Sequence, residues 1–207
     1  GRPGYLTAMF ARATRSALSL AAVVSLFALA AFPVQAASPT LAKVKQRGTL
    51  LCGVNGQLPG FSTRDEKGEW RGFEVDICRA LAAAIFGNSG KVQFVALTPG
   101  HRFEALRKGE VDVLVRNSTA TLERTVNTGL RDAAVIFIEG QVAAAPQRLE
   151  IKSLEELGGR SICVLNGTTY GRNIRDWLVY RHQAYKPVPF DTQEAMYAGF
   201  FAGKCEA

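Results

Sequence analysis

Apolar runs of strand length alternate with amphipathic helical stretches from residue 50 to residue 202, and this alternation constrains the fold more than any other feature of the chain. Strand candidates are 50–54, 92–97, 111–115, 135–137, 141–145, 161–165 and 187–190. Helix candidates fall between them at 73–86, 102–108, 122–128, 153–157, 171–181 and 192–202. Such alternation predicts an α/β architecture with mostly parallel sheets. In the best-defined helix, 73–86, Phe73, Ile77, Leu81 and Ile85 recur every four residues as one buried stripe, leaving Glu74, Asp76 and Arg79 away from it. Gly87-Asn88 supplies the stop. Glu74 and Asp76 suit the positive end of the helix dipole, a plainer role than general acid or base. Ala143-Ala144-Ala145-Pro146-Gln147 is a candidate crossover between two halves, and Ser153 with Glu156 beyond it has the spacing of a capping box.

The N-terminal segment has the form of an export signal. Met9 is followed by Arg12 and Arg15, an uncharged run over 17–32, and small residues around Ala36, after which the cut is placed. Residues 1–8 read as upstream sequence and 9–36 as the signal peptide. As a membrane anchor the run is short of the roughly 20 apolar residues a span needs. The formal net charge of +7 carries little information about partners, because Arg2, Arg12 and Arg15 lie before residue 37, where there is no acid. At 47% hydrophobic and 21% charged, the chain is neither disordered nor collagen-like.

Export changes the meaning of Cys52, Cys78, Cys163 and Cys205. They lack the close spacing of a zinc site, and an oxidising compartment favours disulfides. Division into two lobes near residue 146 would pair Cys52 with Cys78 and Cys163 with Cys205, each bridge worth about 3–4 kcal/mol in the loop-entropy picture. Four buried small hydrophobes is the other reading.

His101 and His182 are the only histidines, which argues against a His-based metal cluster or a Ser-His-Asp triad. Neither a P-loop nor a GxGxxG after the first strand is present, and Lys and Arg are too dispersed for nucleic acid. Two polar turns stand out, each just past the carboxyl end of a strand, where open α/β sheets bind ligands. The first runs from Arg116 through Asn117 and Thr119 to the N-cap Thr121 and on to Arg124. A cation in the first turn of a helix is disfavoured by the dipole, so Arg124 makes better sense facing a carboxylate than as a surface partner of Glu123. The second turn, Gly167-Thr168-Thr169, offers a glycine for close approach and two hydroxyls opening a helix. Together the turns point to a small anionic group gripped between two halves. The loop after the first strand adds Phe61 as an apolar wall and Asn55 or Gln57 as an amide.

Gly72-Phe73-Glu74-Val75-Asp76-Ile77, followed by Leu81-Ala82 and Ile85, resembles the signature of the type II periplasmic solute-binding proteins of ABC importers for polar amino acids (bacterial extracellular solute-binding proteins, family 3). Leu51-Cys52-Gly53-Val54-Asn55, Gly109-Glu110-Val111-Asp112-Val113-Leu114, Gly167-Thr168-Thr169 and Ala202-Gly203-Lys204-Cys205 are similar to the general L-amino-acid subgroup, and the similarity runs from about residue 41 to residue 207. The resemblance implies two α/β lobes joined by a hinge, 37–145 and an incomplete 146–207, closing over one amino acid. It implies that Arg124, Thr119, Asn117 and the turn Gly167-Thr168-Thr169 hold the ligand's α-carboxylate. The aspartate that takes the ammonium in such proteins would lie beyond Ala207, and Glu206 comes too early for that role. The expected protein is a non-enzymatic, cofactor-free monomer in the periplasm of a Gram-negative cell, binding L-amino acids broadly and delivering them to a membrane permease. A cyclohexadienyl-dehydratase-like enzyme on the same fold, or the ligand-sensing module of a receptor, are the alternatives.

Overall fold

A computed structural model describes residues 38–207; the expected signal peptide lies outside the described residues. The elements are α1 (Pro39–Arg47), β1 (Leu50–Val54), β2 (Thr63–Arg64), β3 (Trp70–Arg71), α2 (Phe73–Phe86), β4 (Val92–Ala96), α3 (Arg102–Lys108), β5 (Val113–Leu114), α4 (Leu122–Thr128), β6 (Ser161–Leu165), α5 (Tyr170–Tyr180), β7 (Lys186–Phe190) and α6 (Gln193–Phe201). Two short 3₁₀ turns, Gln147–Leu149 and Leu154–Leu157, precede β6.

The two larger sheets are parallel. One has the order β4-β1-β5, with Leu50 opposite Val92 and Cys52 opposite Val113; the other pairs β6 with β7, Ser161 opposite Lys186. β2 and β3 form a small antiparallel hairpin. Each parallel sheet has its own apolar core: Cys52, Val54, Cys78 and Val115 in the first, Leu157, Ile162, Val164, Ile174 and Leu178 in the second. Cys52 bonds to Cys78, which fastens α2 to β1, and Cys163 bonds to Cys205, which holds the segment after α6 beside β6. Ala207 and Glu206 continue that contact through Cys163 N–H to Ala207 O (2.7 Å) and Glu206 N–H to Ser161 O (2.8 Å).

Several local expectations give way to tertiary context. The buried side of α2 is Glu74, Val75, Cys78 and Ala82, while Phe73 and Leu81 reach solvent. Both sets recur at helical spacing, and the choice between them falls to the disulfide and to Gly72, whose φ of +122° sets the entry angle of the helix. The segments 135–137 and 141–145 are not strands: Val135, Phe137, Ile138 and Val142 are exposed, and among the described residues no neighbouring strand accepts their backbone hydrogen bonds. The capping box does not form either. Residues 154–157 make one 3₁₀ turn, Ser153 makes no side-chain cap bond, and Glu156 accepts instead from Lys152 N–H at 3.4 Å, because so short a segment cannot build the α-helical ladder that the box serves.

Candidate ligand site

The loops that leave β1, β4, β5 and β6 converge on a cavity of about 180 Å³, roughly the volume of six water molecules. Each segment arrives for a local reason. After β1, Ser62 Oγ gathers the N–H groups of Asn55 (3.2 Å) and Gly56 (3.1 Å) and donates to Glu74 Oε2 (2.5 Å), which folds the 55–62 loop against the start of α2. Asn55 Nδ2 then donates to Asn117 Oδ1 at 2.9 Å, tying this loop to the turn after β5. Thr121 caps α4 by accepting from Arg124 N–H at 3.2 Å. Gly167, at φ +73°, brings the turn after β6 so close to Pro99 that an added Cβ would stand 3.0 Å from its backbone.

Asn117, Thr119, Arg124, Thr168, Thr169 and Phe61 all line this cavity. The hydroxyls of Thr119 and Thr169 meet at 3.2 Å although they lie fifty positions apart. Gly167 contributes its carbonyl, which accepts from Arg102 Nη2 (3.1 Å) and Arg124 Nη2 (3.4 Å). Gln57 is not among the residues that line the cavity: it is exposed, its N–H closes onto Asn55 Oδ1 at 3.2 Å in the turn after β1, and the next residue, Leu58, takes the wall position. Arg124 does not pair with Glu123, which binds Arg172 instead; its guanidinium folds back to donate to Thr119 O at 2.8 Å and crosses the Phe103 ring. Glu206 lies away from the cavity, held by Arg160 (3.0 Å) and Ser161 N–H (2.9 Å).

Sequence reading placed Arg116 at the start of the first polar turn without giving it a ligand role, and it missed Arg102, Glu139 and Tyr170. All four line the cavity. Arg102 is fully buried, donates to Pro99 O and Gly167 O, and is pushed down to about 9 by burial and then by the charges of Arg116 and Arg124. Burial also lowers Arg116 to about 10 and depresses Arg124. Arg102 and Arg116 therefore remain cations at neutral pH, and with the guanidinium of Arg124 their like charges make the cavity positive. Glu74, expected to be a helix-end charge, is instead 1% exposed behind the wall, with its carboxyl held above the ordinary range by burial. A larger cavity of about 560 Å³ over α5 and β6 is lined mainly by apolar residues such as Leu157, Ile162, Trp177 and Phe200 and holds no arginine, so it offers no comparable anion site. Among the described residues, no group of three or more His, Cys, Asp or Glu could hold a metal ion, and no helix is long and apolar enough to cross a membrane.

Residues 50–151 match the model of the bacterial extracellular solute-binding proteins, family 3. The chain is 38% identical over 187 residues to the general L-amino acid-binding periplasmic protein AapJ of Rhizobium johnstonii, covering 90% of this chain and 55% of that protein. The chain belongs to this family. Another family relative, the glutamate/glutamine/aspartate/asparagine-binding protein BztA of Rhodobacter capsulatus, is 43% identical over 181 residues, covering 87% of this chain and 54% of its own length. An ABC transporter/periplasmic binding protein from Brucella ovis, solved with glutathione bound, superposes with a TM-score of 0.77 at 43% identity, over 82% of this chain and 54% of that one. The fold is thus that of the type II periplasmic binding proteins. The chain spans about half the length of the curated relatives it matches.

Proposed function

We propose that the protein is the periplasmic substrate-binding component of an amino-acid ABC importer, which captures L-amino acids and hands them to a membrane permease. The observation that carries this reading is Arg124, fixed by the carbonyls of Thr119 and Gly167 at the wall of a small positive cavity where the Thr119 and Thr169 hydroxyls converge. A planar guanidinium held in this way is suited to a carboxylate, and Asn117 and Thr168 add further polar groups. The names of the relatives, which are binding proteins for amino acids, support the same reading. In it, the β4-β1-β5 sheet belongs to a lobe over 37–145 and β6-β7 to a lobe from 146 onward. Residues 9–36 direct export and are removed, and the protein acts as a monomer. Ligand touching turns from both lobes favours the closed arrangement by the contacts made only there.

The test is calorimetric titration of the full-length mature protein with a panel of L-amino acids, with and without Arg124→Ala. Loss of two charge-assisted hydrogen bonds at about 1.5–3 kcal/mol each corresponds to a fall of roughly 10²- to 10⁴-fold in affinity. The unfolding midpoint should change little. Unchanged affinity in the variant removes Arg124 from the site, and no binding by the parent protein removes the function.

A further inference from the structure

Arg116 is the cavity arginine whose hydrogen-bonding capacity the fold leaves largely open. It stands two residues after the end of β5, is 8% exposed, and donates through Nε to the carbonyl of Leu97 at 3.1 Å, which fixes the orientation of the guanidinium. Among the described residues, neither of its terminal nitrogens meets a protein acceptor. Arg102 and Arg124 differ in this respect, since both direct terminal nitrogens to backbone carbonyls.

The charges around the cavity are also unbalanced. Arg102, Arg116 and Arg124 face it with Glu139 as the one lining carboxylate among the described residues. Glu74, the acid whose charge acts on Arg116 from behind the wall, is engaged with Ser62 and does not line the cavity. A zwitterion with a single carboxylate, placed on Arg124, would leave the terminal N–H groups of Arg116 facing an occupied and dried cavity without an acceptor. Unpaired donors on a buried cation are unfavourable, whereas a second carboxylate would accept from both.

We propose that Arg116 is the receptor for a second carboxylate on the ligand, so that the site selects amino acids or short peptides bearing two carboxylates over neutral amino acids. This rests on the amino-acid-binding function proposed above. L-glutamate carries the second carboxylate on its side chain and glutathione carries it at its glycine end, and the same guanidinium fork would serve either.

The experiment titrates the full-length protein with L-glutamate, L-glutamine and reduced glutathione, then repeats this with Arg116→Met and Arg116→Lys. The expected result is that glutamate, glutathione or both bind at least tenfold more tightly than glutamine; which of them does so identifies the source of the second carboxylate. In Arg116→Met the favoured dicarboxylate should lose at least tenfold more affinity than glutamine does, and Arg116→Lys should recover part of that difference. Glutamine binding as tightly as both dicarboxylates overturns the inference while leaving the amino-acid reading intact, as does an equal loss for all three ligands in the methionine variant. Absence of binding by any amino acid or glutathione in the parent protein overturns both. The parent protein's own preference decides the matter if the variants do not fold.

Discussion

Replacing Ser62 by alanine should loosen the cavity from beneath. Ser62 is fully buried, and its Oγ donates to Glu74 Oε2 at 2.5 Å while accepting from Asn55 N–H at 3.2 Å and Gly56 N–H at 3.1 Å. Glu74 Oε1 has no partner, so the variant leaves that carboxyl with no hydrogen-bonding side chain at all. A buried N–H without an acceptor costs about 1–3 kcal/mol; the Asn55 N–H is buried and the Gly56 N–H partly so, which puts the loss from the two at roughly 2–4 kcal/mol. Urea unfolding at pH 7 should show this loss with an unchanged denaturant slope. Amino-acid affinity should fall as well, since the loop that Ser62 organises carries Asn55 to its contact with Asn117. A stability loss below about 1 kcal/mol would mean that the two N–H groups find other acceptors, and would refute the reasoning.

Glu74 also makes stability depend on pH: its folded value is raised by burial, so the folded state holds the proton more tightly than the unfolded one. Its contribution is fully present below the ordinary glutamate value of about 4.3 and is lost as pH rises through the raised folded value. Glu74→Gln should remove that decline, and parallel unfolding curves for parent and variant across pH 4–7 would contradict it. Removing the Cys163–Cys205 bridge, which closes a separation of 42 residues, should cost about 4 kcal/mol, and the Cys52–Cys78 bridge, with 26, about 3.5 kcal/mol. An unfolding midpoint that does not move on adding reductant would count against both values. Gly72→Ala places a Cβ against the Phe61 carbonyl at a φ of +122°, so its melting temperature should drop by an amount equivalent to at least about 2 kcal/mol; an unchanged melting temperature would mean that the helix entry can shift.

Local pattern was enough for most of the secondary structure. The helix 73–86 starts after a glycine and ends at the left-handed Gly87, and Thr121 caps α4; the spacing of residues within a few positions carries such information. The strand-like runs over 135–145 carry the same local signal and remain unpaired, because a strand needs a partner as well as a composition.

The sequence alone was sufficient for the α/β class, for the family signature at 72–85, and for the two polar turns at 116–124 and 167–169, since each is written in a contiguous stretch. Only tertiary structure decided that Glu74 is buried, that Gln57 is exposed and off the cavity wall, and that Arg102 and Arg116 join Arg124 around one cavity. Those outcomes depend on contacts such as Thr119 with Thr169 and Arg102 with Gly167, which bring distant segments together through sheet order and chain closure rather than through local spacing. A buried charge and an exposed one can occupy identical places in a helical repeat, and the difference lies in which neighbours the fold brings to them.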